Sequence, residues 1–175
     1  MAKAERITDR CTQYALDVTE GRIIAGELVR LACQRHLDDI EKSKAAPYRY
    51  YFDVEQSEKI INFAEELTIA EGEEQESVTA YPFQCFILGS INGWRTKEKS
   101  YRRFRTSYIQ GGRQNGKSFI NGILAAYYGN FDGYKYGKIY CTATKQDQAN
   151  IVFDEIVKFI NSDEDLSEWF KIHEH

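Results

Sequence analysis

Apolar residues recur at helical intervals over several stretches of the chain. Ile23, Ile24, Leu28, Leu31, Ala32 and Ile40 fall on helical spacing in a segment that runs from Gly21 to about Lys44, where Pro47 forbids continuation, so the spacing predicts a long amphipathic helix. Ile60, Ile61, Phe63, Ala64 and Leu67 predict a second helix, with Asp53 placed to cap its first turn and the short aromatic run Tyr48 to Phe52 before it. Phe83, Phe86, Ile87, Ile91 and Trp94 mark a third. It opens at Pro82, whose missing N–H would have no partner in a first turn anyway, and it ends near Gly93. Ala149, Val152, Phe153, Ile156, Val157 and Ile160 mark a fourth, opened by Thr144-Lys145-Gln146-Asp147. The ends are weaker: a short helix or arm around Tyr14, Leu16 and Val18, and a closing segment with Leu166, Trp169 and Phe170.

Two stretches have strand character instead. Phe104 to Gln110 alternates and is rich in aromatic and β-branched residues, and Lys138-Ile139-Tyr140-Cys141-Thr142-Ala143 follows a turn at Gly129 to Gly133. Between them, Phe119, Ile120, Ile123, Leu124 and Tyr127 give a helix. Strand, helix, strand predicts a right-handed crossover and a parallel sheet, hence an α/β fold: a P-loop NTPase sheet flanked by helices, incomplete in this chain, after an N-terminal helical region. The acidic run Glu71-Gly72-Glu73-Glu74-Gln75-Glu76 predicts a solvated linker that separates a helical region, 1–76, from the remainder, 77–175.

The junction of the first strand and its helix carries the chemistry. Gly111-Gly112-Arg113-Gln114-Asn115-Gly116-Lys117-Ser118 fits the phosphate-binding pattern G-x-x-x-x-G-K-[ST] at every position. Glycines let backbone N–H groups approach an anion without a Cβ in the way, and the following helix N-terminus adds its partial positive charge. Lys117 would place a mobile cation on the β- and γ-phosphates, and Ser118 a hydroxyl on Mg²⁺. The alternative is a glycine-rich turn followed by Lys-Ser. Ile151-Val152-Phe153-Asp154-Glu155 imitates the apolar strand plus acidic pair of P-loop ATPases, but the helical period continues on both sides of it. The chain is thus expected to hold the phosphate cradle without a strand-borne acidic pair.

Composition narrows the setting. The 175 residues are 42% hydrophobic and 14% aromatic, enough for a buried core, and no run reaches the length of a membrane span. With a charged, non-apolar N-terminus, this predicts an intracellular protein. Cys11, Cys33, Cys85 and Cys141 form no Cys-x-x-Cys pair and are expected as buried thiols. His173 and His175 flank Glu174 at the C-terminus, where fraying is the expectation. A net charge of −4 argues against a protein coated in nucleic acid, yet Arg95, Lys97, Lys99, Arg102, Arg103 and Arg105 form a local basic stretch with Tyr101 and Phe104. Both a solvated hairpin arm and a DNA-facing patch fit it.

Pro82-Phe83-Gln84 with Trp94 downstream, Phe104-Arg105 leading into Gly112 to Ser118, and Tyr140-Cys141-Thr142-Ala143-Thr144-Lys145-Gln146-Asp147-Gln148-Ala149 together resemble the large terminase subunit of tailed bacteriophages over most of residues 48–170. In that family an N-terminal ATPase drives viral DNA into the procapsid and a C-terminal nuclease cuts the concatemer. The resemblance implies ATP and Mg²⁺ as cofactors. It implies Gln84 as the adenine-reading glutamine, Lys117 and Ser118 as the phosphate and magnesium residues, and Arg113 as the loop arginine on the γ-phosphate. Arg113 and Lys117 would be catalytic, and Gly111, Gly112, Gln114, Asn115 and Gly116 would complete the cradle. Thr144 and Lys145 would either join the segment coupling nucleotide to DNA or simply start a helix. Implied partners are double-stranded DNA, the small terminase subunit and the portal of the procapsid, with no membrane, a homo-oligomeric full-length motor, and the cytoplasm of the infected host as location. The family's acidic pair and nuclease lie further along a longer chain, so this chain matches the N-terminal half of the ATPase domain. A helicase-like ATPase shares the glutamine and the loop, and a non-catalytic nucleotide- or partner-binding module accounts for the missing carboxylates.

Overall fold

The computed structural model describes residues 9–71, 74–133, 138–162 and 164–172. His173 to His175, and Gly72 and Glu73 of the acidic run, lie outside the described residues. In chain order the elements are α1 (Arg10–Thr19), α2 (Glu27–Ser43), β1 (Tyr50–Phe52), α3 (Val54–Glu66), β2 (Thr68–Glu71), β3 (Glu74–Ser77), α4 (Pro82–Gly93), β4 (Trp94–Thr96), α5 (Lys117–Asn130), α6 (Gln146–Ser162) and α7 (Glu164–Trp169). Two compact units are built from alternating pieces of the chain. One takes the residues up to Asn62 together with Ala80–Tyr108, and the other takes Phe63–Thr79 with everything from Ile109 onward.

In the first unit, local signals set the helix starts. Asp9 Oδ1 accepts the Thr12 N–H at 2.9 Å to open α1, and Asp53 Oδ1 accepts the Gln56 N–H at 3.1 Å to open α3, the cap expected from sequence. Pro82 sits in the first turn of α4, and Gly93 ends it. Cys11, Tyr14, Ala15 and Val18 fall on one face of α1 and bury against Cys33 of α2 and Phe86 of α4. β1 runs antiparallel to β4, with Phe52 opposite Trp94.

Only part of the apolar set predicted for this helix turns inward: Ile23 and Ala32 pack against the core and Ile40 is half-buried, but the fully buried positions of α2 are others. Cys33, His36 and Asp39 are buried, while Leu28 and Leu31 are exposed and Ile24, just ahead of the helix, is fully so. The reason is that the two polar residues find partners inside. The Trp94 indole N–H donates to His36 Nδ1 at 3.0 Å, so His36 Nε2 carries the proton and faces Thr12 Oγ1 at 3.1 Å. Burial, with the nearby Arg35 charge, holds the imidazole neutral and lowers its pKa from 6.5 to about 4, despite Asp9 and Asp39. Phe52, Phe86 and Trp94 meet the ring edge to face.

In the second unit, α5 packs on α6. A Cβ at Gly122 would lie 3.0 Å from Phe159 Cε2 and 3.2 Å from Glu155 Cβ, so glycine sets how closely the helices cross. Phe119 meets Phe159 edge to face at 5.5 Å, and Ile120, Ile123 and Tyr127 are buried. Phe63, from the end of α3, packs on Tyr127 and Phe131. Of the acidic run expected as a loop, Glu71 ends β2 and Glu74 to Glu76 lie in β3, which pairs antiparallel with β2. Thr68 Oγ1 ties that hairpin to the end of α6 by donating to the Ser162 carbonyl at 2.6 Å.

Among the described residues, the parallel sheet expected around the glycine loop is not seen. Residues 104–110 and 138–143 carry no strand, and the described residues hold only the two antiparallel pairs β1–β4 and β2–β3. Parallel strands are stable when both faces are covered and neighbours pair their edges. Here the apolar face of α5 is occupied by α6, and Tyr108 and Tyr140 are 86% and 77% exposed. The fold is therefore mixed helix and strand. Cys11, Cys33 and Cys85 are buried free thiols and Cys141 is half-buried; burial pushes the Cys33 thiol up to about 11. Among the described residues no helix is long and apolar enough to cross a membrane.

Candidate functional site

The glycine loop lies in the second unit and runs directly into α5. Gly116 is the N-cap in the left-handed region, φ 64° and ψ 23°, a backbone conformation that glycine adopts without steric cost. It has no side chain to cap the helix, so the first-turn N–H groups of Lys117, Ser118 and Phe119 are left to water or a ligand. Gly111 to Asn115 are exposed, and Gly116, Lys117 and Ser118 are half-buried. Lys117 Nζ bends back to donate to the Gly112 carbonyl, and Asn115 Nδ2 donates to the Arg113 carbonyl at 3.1 Å. A lysine ammonium, unshielded helix N–H groups and a serine hydroxyl thus come together at one helix start, the donor set that a polyphosphate with its divalent cation requires. Gly112 leaves open backbone where a Cβ would stand 2.9 Å from Asn115 Nδ2.

Gln84 lies in the first unit, in the first turn of α4, and is 5% exposed. Its Oε1 accepts the Tyr81 N–H at 2.9 Å, satisfying one of the donors at the helix start. That contact fixes which way the amide points. Tyr81, which no sequence pattern marks, is 64% exposed, its ring parallel to that of Phe83 at 6.2 Å.

The basic stretch resolves into two kinds of residue. Arg95 donates to the Asn92 carbonyl at 2.9 Å and to Gln56 Oε1 at 3.1 Å. Lys97 donates to the carbonyls of Ser43 and Ala45 at 2.8 and 3.1 Å. Arg103 pairs with Asp39 at 2.7 Å and lies over the Tyr50 ring at 4.6 Å and beside Trp94. Burial pushes the Asp39 carboxyl up, but hydrogen bonds from Arg103, Lys42 and Tyr48 outweigh this and hold it below the usual carboxylate range. Lys99 and Arg105 face solvent. Arg95, Lys97 and Arg103 thus bind the first unit's own backbone and side chains. A run of like charges along a sequence gives no sign of which members find such partners.

Asp154 and Glu155 lie within α6, Asp154 exposed and Glu155 paired with Lys158 at 3.0 Å. Thr144 and Lys145 immediately precede that helix, and Thr144 Oγ1 donates to Gln148 Oε1 at 3.3 Å. Comparison of the whole chain with known proteins finds no match among curated proteins or solved structures. The family model described as "Terminase large subunit, ATPase domain" matches residues 82–172, more than half the chain, from the first residue of α4 past the end of α7.

Proposed function

Because the chain belongs to the terminase large subunit ATPase family, we propose that loop 111–118 binds ATP with Mg²⁺ and that the chain forms the nucleotide-binding part of a bacteriophage DNA-packaging motor. That motor couples ATP hydrolysis to translocation of duplex DNA into a procapsid, with the small terminase subunit and the portal as partners. The observation that carries the nucleotide reading is the loop itself: Gly116 in a left-handed cap, Lys117 and Ser118 in the first turn, and no capping side chain in the way of the helix N–H groups.

ATP supplies the phosphoryl bond and Mg²⁺ the charge that the protein does not. The first-turn N–H groups of α5 bind phosphate oxygens, and Ser118 offers its hydroxyl to the cation. Lys117 exchanges the Gly112 carbonyl for a phosphate oxygen, a stronger, charge-assisted acceptor. Arg113, exposed on the loop, stands for γ-phosphate contact. Gln84 reads adenine with its amide oriented by Tyr81. Asp154 and Glu155 sit on a helix and do not supply a strand-end pair for water. That placement favours a second reading, in which the chain binds nucleotide but turns it over hardly at all.

The test is titration of the 175-residue chain with a fluorescent ATP analogue and Mg²⁺, beside Lys117→Ala. Losing the charge-assisted phosphate contact, roughly 1.5–3 kcal/mol, should weaken binding about ten- to a hundredfold. Equal affinities would remove the phosphate role. A phosphate-release assay on the same samples separates slow turnover from none.

A further inference from the structure

The loop contains two contacts that the glycine–lysine pattern does not require. Asn115 Nδ2 donates to the Arg113 carbonyl at 3.1 Å, closing the turn around Gln114, which holds a left-handed φ of 60° without being glycine. That conformation is disfavoured for an L-residue and persists where its neighbours hold it. The same amide nitrogen lies against Gly112: a Cβ there would come within 2.9 Å of it. Gly112 is not one of the glycines with positive φ, so what glycine supplies at this position is space. That space is filled by the Asn115 amide.

We infer that Asn115 is a positioning residue for the phosphate loop, holding the Gly112–Gln114 backbone in register through the Arg113 carbonyl, and that Gly112 is needed because Asn115 packs against it. The inference rests on the reading of the loop as a nucleotide site. It does not involve Lys117, whose partner is a different carbonyl, that of Gly112. Lys117 can therefore turn to a phosphate while Asn115 keeps the turn closed. A methyl group at Gly112 acts by displacing the Asn115 amide, the movable end of a side chain. Gly112→Ala and Asn115→Ala therefore break one and the same contact.

A double-mutant cycle on the 175-residue chain tests this, with dissociation constants for ATP·Mg²⁺ and for pyrophosphate·Mg²⁺ and a melting temperature for each protein. Asn115→Ala should weaken both ligands by the same factor, about three- to tenfold, the loss of one ordinary hydrogen bond, with the melting temperature unchanged because the loop is exposed. Gly112→Ala should do the same. The double variant should bind no worse than the weaker single one. Multiplication of the two losses in the double variant, or wild-type affinity in Asn115→Ala, would overturn the inference while leaving the nucleotide site standing. A lowered melting temperature in Asn115→Ala would also overturn it, making the residue a general structural prop. Failure of the wild-type chain to bind either ligand would instead overturn the nucleotide reading, and this inference with it.

Discussion

The two units treat their polar groups in opposite ways. In the first, His36, Asp39 and Arg103 are turned inward and matched: imidazole to indole N–H and threonine hydroxyl, carboxylate to guanidinium and ammonium. In the second, the loop from Gly111 to Ser118 leaves backbone and side chains at the surface around one unshielded helix start. A buried polar group that loses its partner has no water to replace it, so the first arrangement contributes stability. Groups left open to solvent contribute little to stability and remain available to a ligand. Charge alone therefore does not mark a ligand site in this chain, since charged groups of the first unit are taken up by its own interior.

The largest effect that tests this contrast is Trp94→Ala. It removes a fully buried indole, the donor to His36 and one of the rings against Arg103, and should cost roughly 3–5 kcal/mol in denaturant unfolding. Lys117→Ala should leave the unfolding midpoint unmoved. A loop variant as destabilising as the core variant would erase the distinction.

Acid should act next most strongly. His36 has a folded pKa of about 4 against 6.5 for an unperturbed imidazole, so between those values the unfolded chain takes up a proton that the native side chain refuses. Stability from this group is complete above pH 6.5 and falls as pH drops toward 4, by on the order of 3 kcal/mol in all. Asp39, whose pKa is lowered, loses its contribution at still lower pH. Unfolding free energies at pH 7.5, 5.5 and 4.5 should show the first decline, and His36→Gln should flatten it; a flat profile in the wild type would contradict a neutral, satisfied imidazole.

Much of the local structure was legible in the sequence, because the signals are local. Asp53 as a cap, Pro82 and Gly93 as the ends of α4, and the helix through Asp154 and Glu155 depend on residues a few positions apart. The glycine loop was legible for the same reason: its pattern specifies backbone geometry and helix start together. What was not legible depends on distant partners. The face that α2 buries is decided by Trp94 and Arg103, about sixty residues away, and hydrophobic spacing pointed instead to Leu28 and Leu31. Residues 104–110 and 138–143 have the composition of strands but carry none, because a strand exists only through a pairing partner.

Gln84 links the two behaviours, being buried and, in the proposed function, the reader of adenine. Gln84→Ala should cost about 1 kcal/mol through the lost contact to the Tyr81 N–H. It should also narrow any preference for ATP over GTP in a competition titration, with pyrophosphate binding unchanged. If the melting temperature falls and base preference does not move, Gln84 belongs wholly with the inward-facing groups of the first unit.

The smallest expected effect is the most diagnostic for catalysis. Glu155 forms an ion pair with Lys158, three residues on along α6, and the lysine side chain is 59% exposed; such surface pairs contribute at most about 0.5 kcal/mol. Asp154 is exposed on the same helix. Positioning water for in-line attack requires carboxylates held beside the transferring phosphate, which two residues in the middle of a regular helix, one of them turned to solvent, do not provide. Asp154→Asn and Glu155→Gln should therefore leave stability, nucleotide affinity and the rate of phosphate release at wild-type values. Steady-state phosphate release by the wild type that vanishes in either variant would show that the acidic pair of α6 acts on the nucleotide after all, and would move it from the structural side of the comparison to the functional one.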